Sequence, residues 1–170
     1  MTDHTRARQR ADTWAAARAF TICAVIFLVA AAAIAVLRSF TPITRAWWLV
    51  AYLSLVGGIS QLLLGPGLIG LAGQRGARLP ARGARRAQLV TWNGGTLLVA
   101  VADLVPSAAG VLVGSIVLVV ALVLFARGLR EVSTTANRLA RGWTAAYVVL
   151  LIFLAGSVVI GTLLAFARGR

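Results

Sequence analysis

The chain has 170 residues, of which 60% are hydrophobic, and it carries a formal net charge of +13. In soluble domains about half of the residues or fewer are apolar, so this hydrophobic fraction is high. The mean hydropathy of +0.90 is likewise above that of soluble domains. These values exclude an ordinary soluble domain. Because the arginines stand in short segments between apolar runs, and not on one basic face, we expect no nucleic-acid partner either.

Five long apolar runs follow one another along the chain, with Asp103 as their only charged residue. A helix needs about 20 apolar residues to cross roughly 30 Å of hydrocarbon. The runs therefore predict an all-α, polytopic membrane bundle of five transmembrane helices, forming a single domain over residues 1–170. The expected spans are residues 19–37, 46–66, 87–104, 107–126 and 143–167, with Pro106 and Ser107 in a short turn between the third and fourth.

The arginines predict the orientation. A basic tail, residues 1–18, and two basic loops, 74–86 and 127–142, would share one side of the membrane. The other side would hold only Arg38, Arg45, Arg168 and Arg170. The positive-inside rule then places the N-terminus in the cytoplasm and the C-terminus outside, with Trp47 and Trp48 at the outer interface.

All seventeen basic residues are arginine, and Ala, Gly and Val are abundant. GC-rich codons would produce this bias, so we expect a bacterial source and a bacterial cytoplasmic membrane. The first span also has features of a signal peptide, since it follows a basic segment and ends in alanines. Its apolar run reaches Leu37, which is longer than the about 7–15 residues of a signal sequence. We therefore expect this helix to be retained; cleavage would leave four spans.

The second and third spans each carry small and polar residues on one helical face. In the second span they are Ser54, Gly58, Gln61 and Gly65. In the third they are Asn93, Thr96, Ala100 and Asp103. Because polar groups inside hydrocarbon must be satisfied by the protein, both stripes should face other helices. The candidate intramembrane polar site is Ser54, Gln61, Asn93, Thr96 and Asp103.

Counting about 1.5 Å per residue from the span ends places Gln61 and Asn93 at the same depth. The same count puts two glycine pairs level with each other: Gly57 and Gly58, and Gly94 and Gly95. We predict a close crossing at these glycines, with Gln61 and Asn93 hydrogen-bonded beside it or turned into a shared polar pocket. Simple interhelical hydrogen bonding is the alternative to a functional site.

A Gly-Pro-Gly sequence at residues 65–67 lies near the inner end of the second span. We expect the helix to stop there, because proline breaks helices. A discontinuous helix lining a cavity, which would favour transport, is the alternative. In the fourth and fifth spans the helix-packing candidates are Gly110, Gly114, Ser157 and Gly161.

Asp103 has two interpretations. At the outer surface it would end the third span and pair with Arg38 or Arg45. In a deeper position it would be an intramembrane carboxylate, suited to a proton or a cation. On the opposite side, arginines of the first basic loop are expected to contact anionic lipid headgroups, each contributing about 1 kcal/mol; they are Arg75, Arg78, Arg82, Arg85 and Arg86.

Catalysis is difficult to build from this chain. Its single histidine, His4, lies in the tail and its single cysteine, Cys23, in the first span. A nucleophile–base pair and a Cys/His metal site each need more such residues, so we expect no metal and no cofactor.

The favoured function is a non-enzymatic accessory or scaffold subunit that contacts a larger membrane protein through its helices, and a homo-oligomer is the alternative assembly. One alternative is a small oligomeric carrier or pore for a small or hydrophobic solute that uses the polar residues of spans two and three. A second is an intramembrane enzyme. A cavity lined by the polar stripes would favour the carrier.

Overall fold

The computed structural model describes residues 3–40, 46–75, 79–133 and 138–168. Every regular element within these ranges is helical, as expected. The helices are α1 (Asp3–Leu37), α2 (Ala46–Tyr52), α3 (Ser60–Arg75), α4 (Arg82–Leu104), α5 (Ala108–Ser133) and α6 (Arg138–Arg168). A π-helical segment, Leu53–Ile59, joins α2 to α3, and the three form one continuous second rod.

Four stretches of helix are long and apolar enough to cross a membrane: Ala17–Leu37, Ala46–Gly73, Ala108–Val132 and Gly142–Leu163. They correspond to the first, second, fourth and fifth predicted spans, and they fit a multi-pass membrane protein. The helix α4 contains the third predicted span. Because it begins with three arginines in its first turns and carries several polar residues, it is less apolar than the others.

The second rod does not stop at the Gly-Pro-Gly sequence, so that prediction is wrong. The helix α3 continues through Pro66 to Arg75. Proline removes one backbone hydrogen bond, but residues beyond it, among them Leu68 and Ala72, are buried in the core. Tertiary packing therefore keeps the segment helical. The irregular backbone lies earlier, in the π segment.

The helix α1 packs against the second rod. Its buried residues Phe20, Ala24, Phe27 and Ala31 recur at helical spacing and form the contacting face. A methyl group added to Gly65 would overlap the Phe20 ring, and one added to Gly57 would lie 2.6 Å from the Phe27 ring. The glycines of the rod thus allow two helix backbones to approach closely.

The helices α4 and α5 form a tight antiparallel hairpin. Val105–Ser107 connect them, which confirms the short turn expected at Pro106 and Ser107. The Ser107 hydroxyl accepts a hydrogen bond from the Gly110 amide at 3.2 Å. Further along, the Gln88 side-chain amide donates to the Leu124 carbonyl at 3.0 Å. Contact therefore extends over most of the length of α4.

We call the end of the bundle with the Val105–Ser107 turn the turn end, and the opposite end, where α4 begins, the arginine end. The main core lies nearer the arginine end, where Phe20 and Trp92 both contact the Phe125 ring at centroid distances of 6.0 and 6.1 Å. A smaller cluster at the turn end is formed by Phe27, Ala31, Leu49, Leu53 and Ala100. None of its residues comes from α5 or α6, so these helices are less tightly packed against the second rod there.

Candidate functional site

A cavity of about 340 Å³ lies in the half of the bundle nearest the turn end. Its wall is formed by the second rod, α4, α5 and α6. Most of the lining is apolar, and the polar side chains in it are Tyr52, Asp103, Ser115, Ser157 and Thr162. Small-molecule sites commonly measure about 300–1,000 Å³ and have this mixture of an apolar wall with a few polar groups.

Two hydrogen bonds fix α6 beside the cavity. Near the arginine end, the Tyr147 hydroxyl donates to the Leu64 carbonyl of α3 at 2.9 Å. Near the turn end, the Thr162 hydroxyl donates to the Ser115 hydroxyl of α5 at 2.8 Å. Thus α6 is bound to the second rod at one end and to α5 at the other, and the space between α6 and the rod forms the cavity.

The cavity opens on the side where α6 and the π segment face each other. Leu55 lines it and is 56% exposed. Across the gap, Ser157 and Gly161 of α6 line it and are also exposed. In a bilayer this opening would face the acyl chains of one leaflet.

The π segment shapes the wall opposite α6. In this segment the Ser60 amide hydrogen-bonds to the Leu55 carbonyl, five residues earlier, and the Ser60 hydroxyl donates to the same oxygen at 2.6 Å. The Trp92 indole Nε1 of α4 donates to the Val56 carbonyl at 3.1 Å. Single turns of π-helix occur frequently at functional sites. Here the Val56 carbonyl of the π segment binds Trp92, the side chain that closes the cavity on the α4 side.

Aromatic residues cover the outer part of the same wall. Trp48 stacks on Tyr52 with ring centroids 4.9 Å apart and planes inclined by 8°. The Tyr52 hydroxyl lies next to Thr96, but neither hydroxyl has a partner in acceptable hydrogen-bonding geometry within the described ranges. Of the two, only Tyr52 lines the cavity, and Thr96 lies behind it, fully buried.

Asp103 is half-buried near the end of α4 and lines the cavity. Of its two expected partners, Arg38 stacks on Trp47, with its guanidinium carbon 4.3 Å from the ring centroid, and Arg45 lies outside the described residues. Pairing with either arginine stays a prediction. Asp103 is the one acidic residue in the described lining of the cavity, and it lies at the turn end.

The polar stripe of the second rod faces protein, but its neighbour is α1. A Cβ at Gly58 would lie 2.6 Å from the Leu28 side chain, and Gly65 faces Phe20. Gln61 lies between these glycines on the same face, is 0% exposed, and has no hydrogen-bond partner for either side-chain polar atom within the described part of the chain. Ser54 is half-buried.

The predicted meeting of Gln61 with Asn93 is wrong. Asn93 donates to the Leu89 carbonyl of its own helix at 2.7 Å. Trp92 of α4 binds Val56 of the second rod, and Tyr52 adjoins Thr96. Because the two helices are antiparallel, these contacts set Gln61 at the level of the residue about six positions before Asn93. The levels of Gln61 and Asn93 therefore differ by roughly 9 Å along the axis. No hydrogen bond joins the two side chains in the described structure, and neither side chain lines the cavity. Thr96 is fully buried, and from this stripe only Asp103 lines the cavity.

The predicted crossing of glycine pairs is also wrong, although most of the glycines do pack closely. Gly57 and Gly58 face α1, Gly95 faces Leu118 of α5, and Gly94 has no atom within 4 Å of an added Cβ. Gly110 and Gly114 face Ala102 and Val99 in the α4–α5 hairpin. In α6, an added Cβ at Gly161 meets nothing within 4 Å, and the Ser157 hydroxyl donates to the Phe153 carbonyl of its own helix.

Three of the arginines expected to contact lipid lie together at the start of α4: Arg82 and Arg86 are exposed and Arg85 is half-buried. Arg78 and the side chain of Arg75 lie outside the described residues. Among the described residues, no three His, Cys, Asp or Glu side chains gather where they could hold a metal ion.

Several cavity residues were not singled out from the sequence as site residues. The position of Trp48 at the start of a span indicates an interfacial anchor. Tyr52, Ser115 and Thr162 are isolated polar residues in apolar runs. The sequence feature that could have indicated the cavity is Trp92. It is a large aromatic residue in the middle of a span, and its indole N–H needs a hydrogen-bond partner when it is buried.

Comparison with known proteins gives no match: no family model fits the chain, and no curated protein and no solved structure matches it.

Proposed function

We propose that this chain is a five-span membrane protein that binds a small hydrophobic or amphipathic solute in the turn-end cavity and acts as a small carrier for it. The single observation that carries the proposal is the cavity of about 340 Å³ between the second rod, α4, α5 and α6. Its apolar wall suits the solute's hydrocarbon part. Asp103 and the hydroxyls of Ser115 and Thr162 suit a polar group.

The fifth span is supported by the α4–α5 hairpin. The helix α5 is apolar enough to cross a membrane over Ala108–Val132. The helix α4 runs antiparallel beside it. Ala102 lies opposite Gly110 at one end of the contact, and Gln88 lies opposite Leu124 at the other. A helix packed along most of a spanning helix crosses the bilayer with it. Together with the positive-inside rule, this arrangement supports a cytoplasmic position for the arginine end and an outer position for the turn end.

We expect the two termini to lie on opposite sides of the membrane. After Cys23→Ala removes the native thiol, Arg170→Cys should react with a membrane-impermeant maleimide added to intact cells, because the C-terminus follows an odd number of crossings. Thr2→Cys should react only after permeabilisation. Labelling of both positions on the same side would mean an even number of spans and would overturn the topology.

The carrier is favoured over a pore because the cavity closes toward the arginine end. Trp92 and Leu118, which line it, belong to the main core together with Phe125. The described helices therefore form no continuous water-filled path in this conformation. The side opening between Leu55 and α6 instead gives a solute access from the outer leaflet, with its polar group at the level of Asp103.

We expect Gly161→Phe to block binding. Gly161 lines the cavity, and a side chain there meets no atom within 4 Å of its Cβ, so the phenyl ring can occupy the opening without disturbing the helix. Gly156→Phe is the matched control, because Gly156 is equally uncrowded on α6 but does not line the cavity. The probe is N-phenyl-naphthylamine, a small apolar fluorophore that accepts energy from Trp48 and Trp92.

Gly161→Phe should weaken dye binding by at least about tenfold, corresponding to roughly 1.4 kcal/mol, while Gly156→Phe should bind like the wild-type protein. Measuring the variants at equal detergent concentration removes the contribution of dye dissolved in micelles. Equal energy transfer in all three proteins would show that the cavity does not take up such a solute.

A second function, the accessory subunit, is supported by α6. Only 11% of the apolar stretch within Gly142–Leu163 is buried. A Cβ added at Gly156 would have no atom within 4 Å, so another helix could approach this face closely. Purification from the native membrane in mild detergent distinguishes the two functions. A stoichiometric larger partner would favour the accessory subunit, and a protein that purifies alone would favour the carrier.

A further inference from the structure

A second cavity, of about 600 Å³, lies at the arginine end between α1, the start of α4 and the residues that precede α4. Its wall has two chemical parts. The apolar part includes Phe20, Leu79 and Leu89, and the basic part is formed by Arg82, Arg85 and Arg86. This cavity is separate from the proposed solute cavity, which lies at the other end of the bundle.

The described lining of this cavity carries positive charge only. Three arginines stand in the first turns of α4, where the helix dipole already contributes positive potential. Ala81, which precedes the helix, provides no side-chain cap for the first amide groups. Among the described residues that line the cavity, none is acidic. A bound anion would offset the repulsion among the arginines and would favour this arrangement.

Arg85 gives a more specific indication. Its Nε is buried and has no hydrogen-bond partner within the described ranges. A buried guanidinium N–H without a partner is costly, and guanidinium groups match the oxygens of a phosphate with paired hydrogen bonds. The apolar surface of Ala19 and Leu89 lies beside these donors, so the cavity offers neighbouring sites for a phosphate and for hydrocarbon.

We infer that this cavity binds one anionic phospholipid from the leaflet at the arginine end. Its phosphate lies among Arg82, Arg85 and Arg86, and an acyl chain lies along Ala19 and Leu89. This is a discrete site, in contrast to the diffuse attraction of a basic loop to a charged surface, which would depend on the number of arginines and not on their position.

The test compares two double variants of the full-length protein that remove the same charge. Arg82→Gln/Arg85→Gln removes two arginines of the cavity, and Arg127→Gln/Arg130→Gln removes two exposed arginines of α5 that do not line it. Each protein is placed in nanodiscs of phosphatidylcholine with a minority of phosphatidylglycerol. Native mass spectrometry then counts the retained lipids.

We expect the wild-type protein to retain one phosphatidylglycerol molecule in preference to phosphatidylcholine. The cavity variant should bind it about 25-fold more weakly, at about fivefold per arginine, and the α5 variant should bind it normally. Equal losses in both variants, or no loss in either, would overturn the site. Displacement of the lipid by millimolar inorganic phosphate would overturn the assignment to a lipid.

If the double variant does not fold, Arg86→Gln tests the same site, because the Arg86 side chain is exposed and its replacement leaves the core intact. An affinity about fivefold lower than that of the wild-type protein is expected. An unchanged affinity would count against the proposal.

Discussion

Replacing Gly95 by alanine is expected to destabilise the protein by about 1–3 kcal/mol, whereas the same change at its neighbour Gly94 should not destabilise it. A Cβ at Gly95 would lie 2.8 Å from the Leu118 Cγ and 3.0 Å from the Leu118 backbone nitrogen, and the backbone cannot move aside cheaply. At Gly94 an added Cβ meets nothing within 4 Å. Because both residues lie in the middle of α4, alanine improves helix propensity equally at each, by up to about 1 kcal/mol.

The difference between the two variants therefore isolates packing in the α4–α5 hairpin. Thermal unfolding in a mild detergent, followed by tryptophan fluorescence, should show a lower midpoint for Gly95→Ala alone. Equal midpoints for the two variants would show that α4 and α5 do not pack as described.

The sequence indicated most of the glycines that pack, with Gly94 and Gly161 as exceptions, but not what they pack against. Counting residues from the span ends gives depth in the membrane, yet it does not say which neighbour a helix face meets. A stripe traced at 3.6 residues per turn also assumes a regular helix. The π segment, with hydrogen bonds to the fifth residue back, rotates the residues after Ile59 relative to that count. Equal depth alone matched Gln61 to Asn93, while Gly58 and Gly65, which flank Gln61, face α1.

Local signals were sufficient for the hairpin turn. Pro106 cannot continue a helix, Ser107 can accept a hydrogen bond from the next helix, and both effects act within a few residues. The cavity has no such local signal, because it results from incomplete packing between α6 and the second rod. That gap depends on where Tyr147 and Thr162 bind, and these are contacts between residues far apart in the chain. Of the predicted polar site, only Asp103 therefore lines the cavity.

Trp92→Ala is expected to cost about 3–5 kcal/mol of stability, as for other buried large-to-small substitutions. Trp92 has the largest fully buried side chain among the described residues; its ring contacts Phe125 and its Nε1 binds the Val56 carbonyl. Trp143→Ala is the matched control, since Trp143 is 63% exposed, and it should unfold near the wild-type temperature. A similar loss in both variants would mean that Trp92 is not a core residue.

Trp92→Phe separates packing from hydrogen bonding. Phenylalanine keeps most of the buried ring but removes the donor, and leaving the Val56 carbonyl of the π segment without this partner should cost about 1–3 kcal/mol. The two variants should differ in binding as well, because Trp92 closes the solute cavity on the α4 side. We expect Trp92→Ala, where it folds, to accept a bulkier apolar dye than the wild-type protein, and Trp92→Phe to keep the original size limit. If the two variants accept dyes of the same size, Trp92 does not set the size of the cavity, and its role is confined to stabilising the π segment.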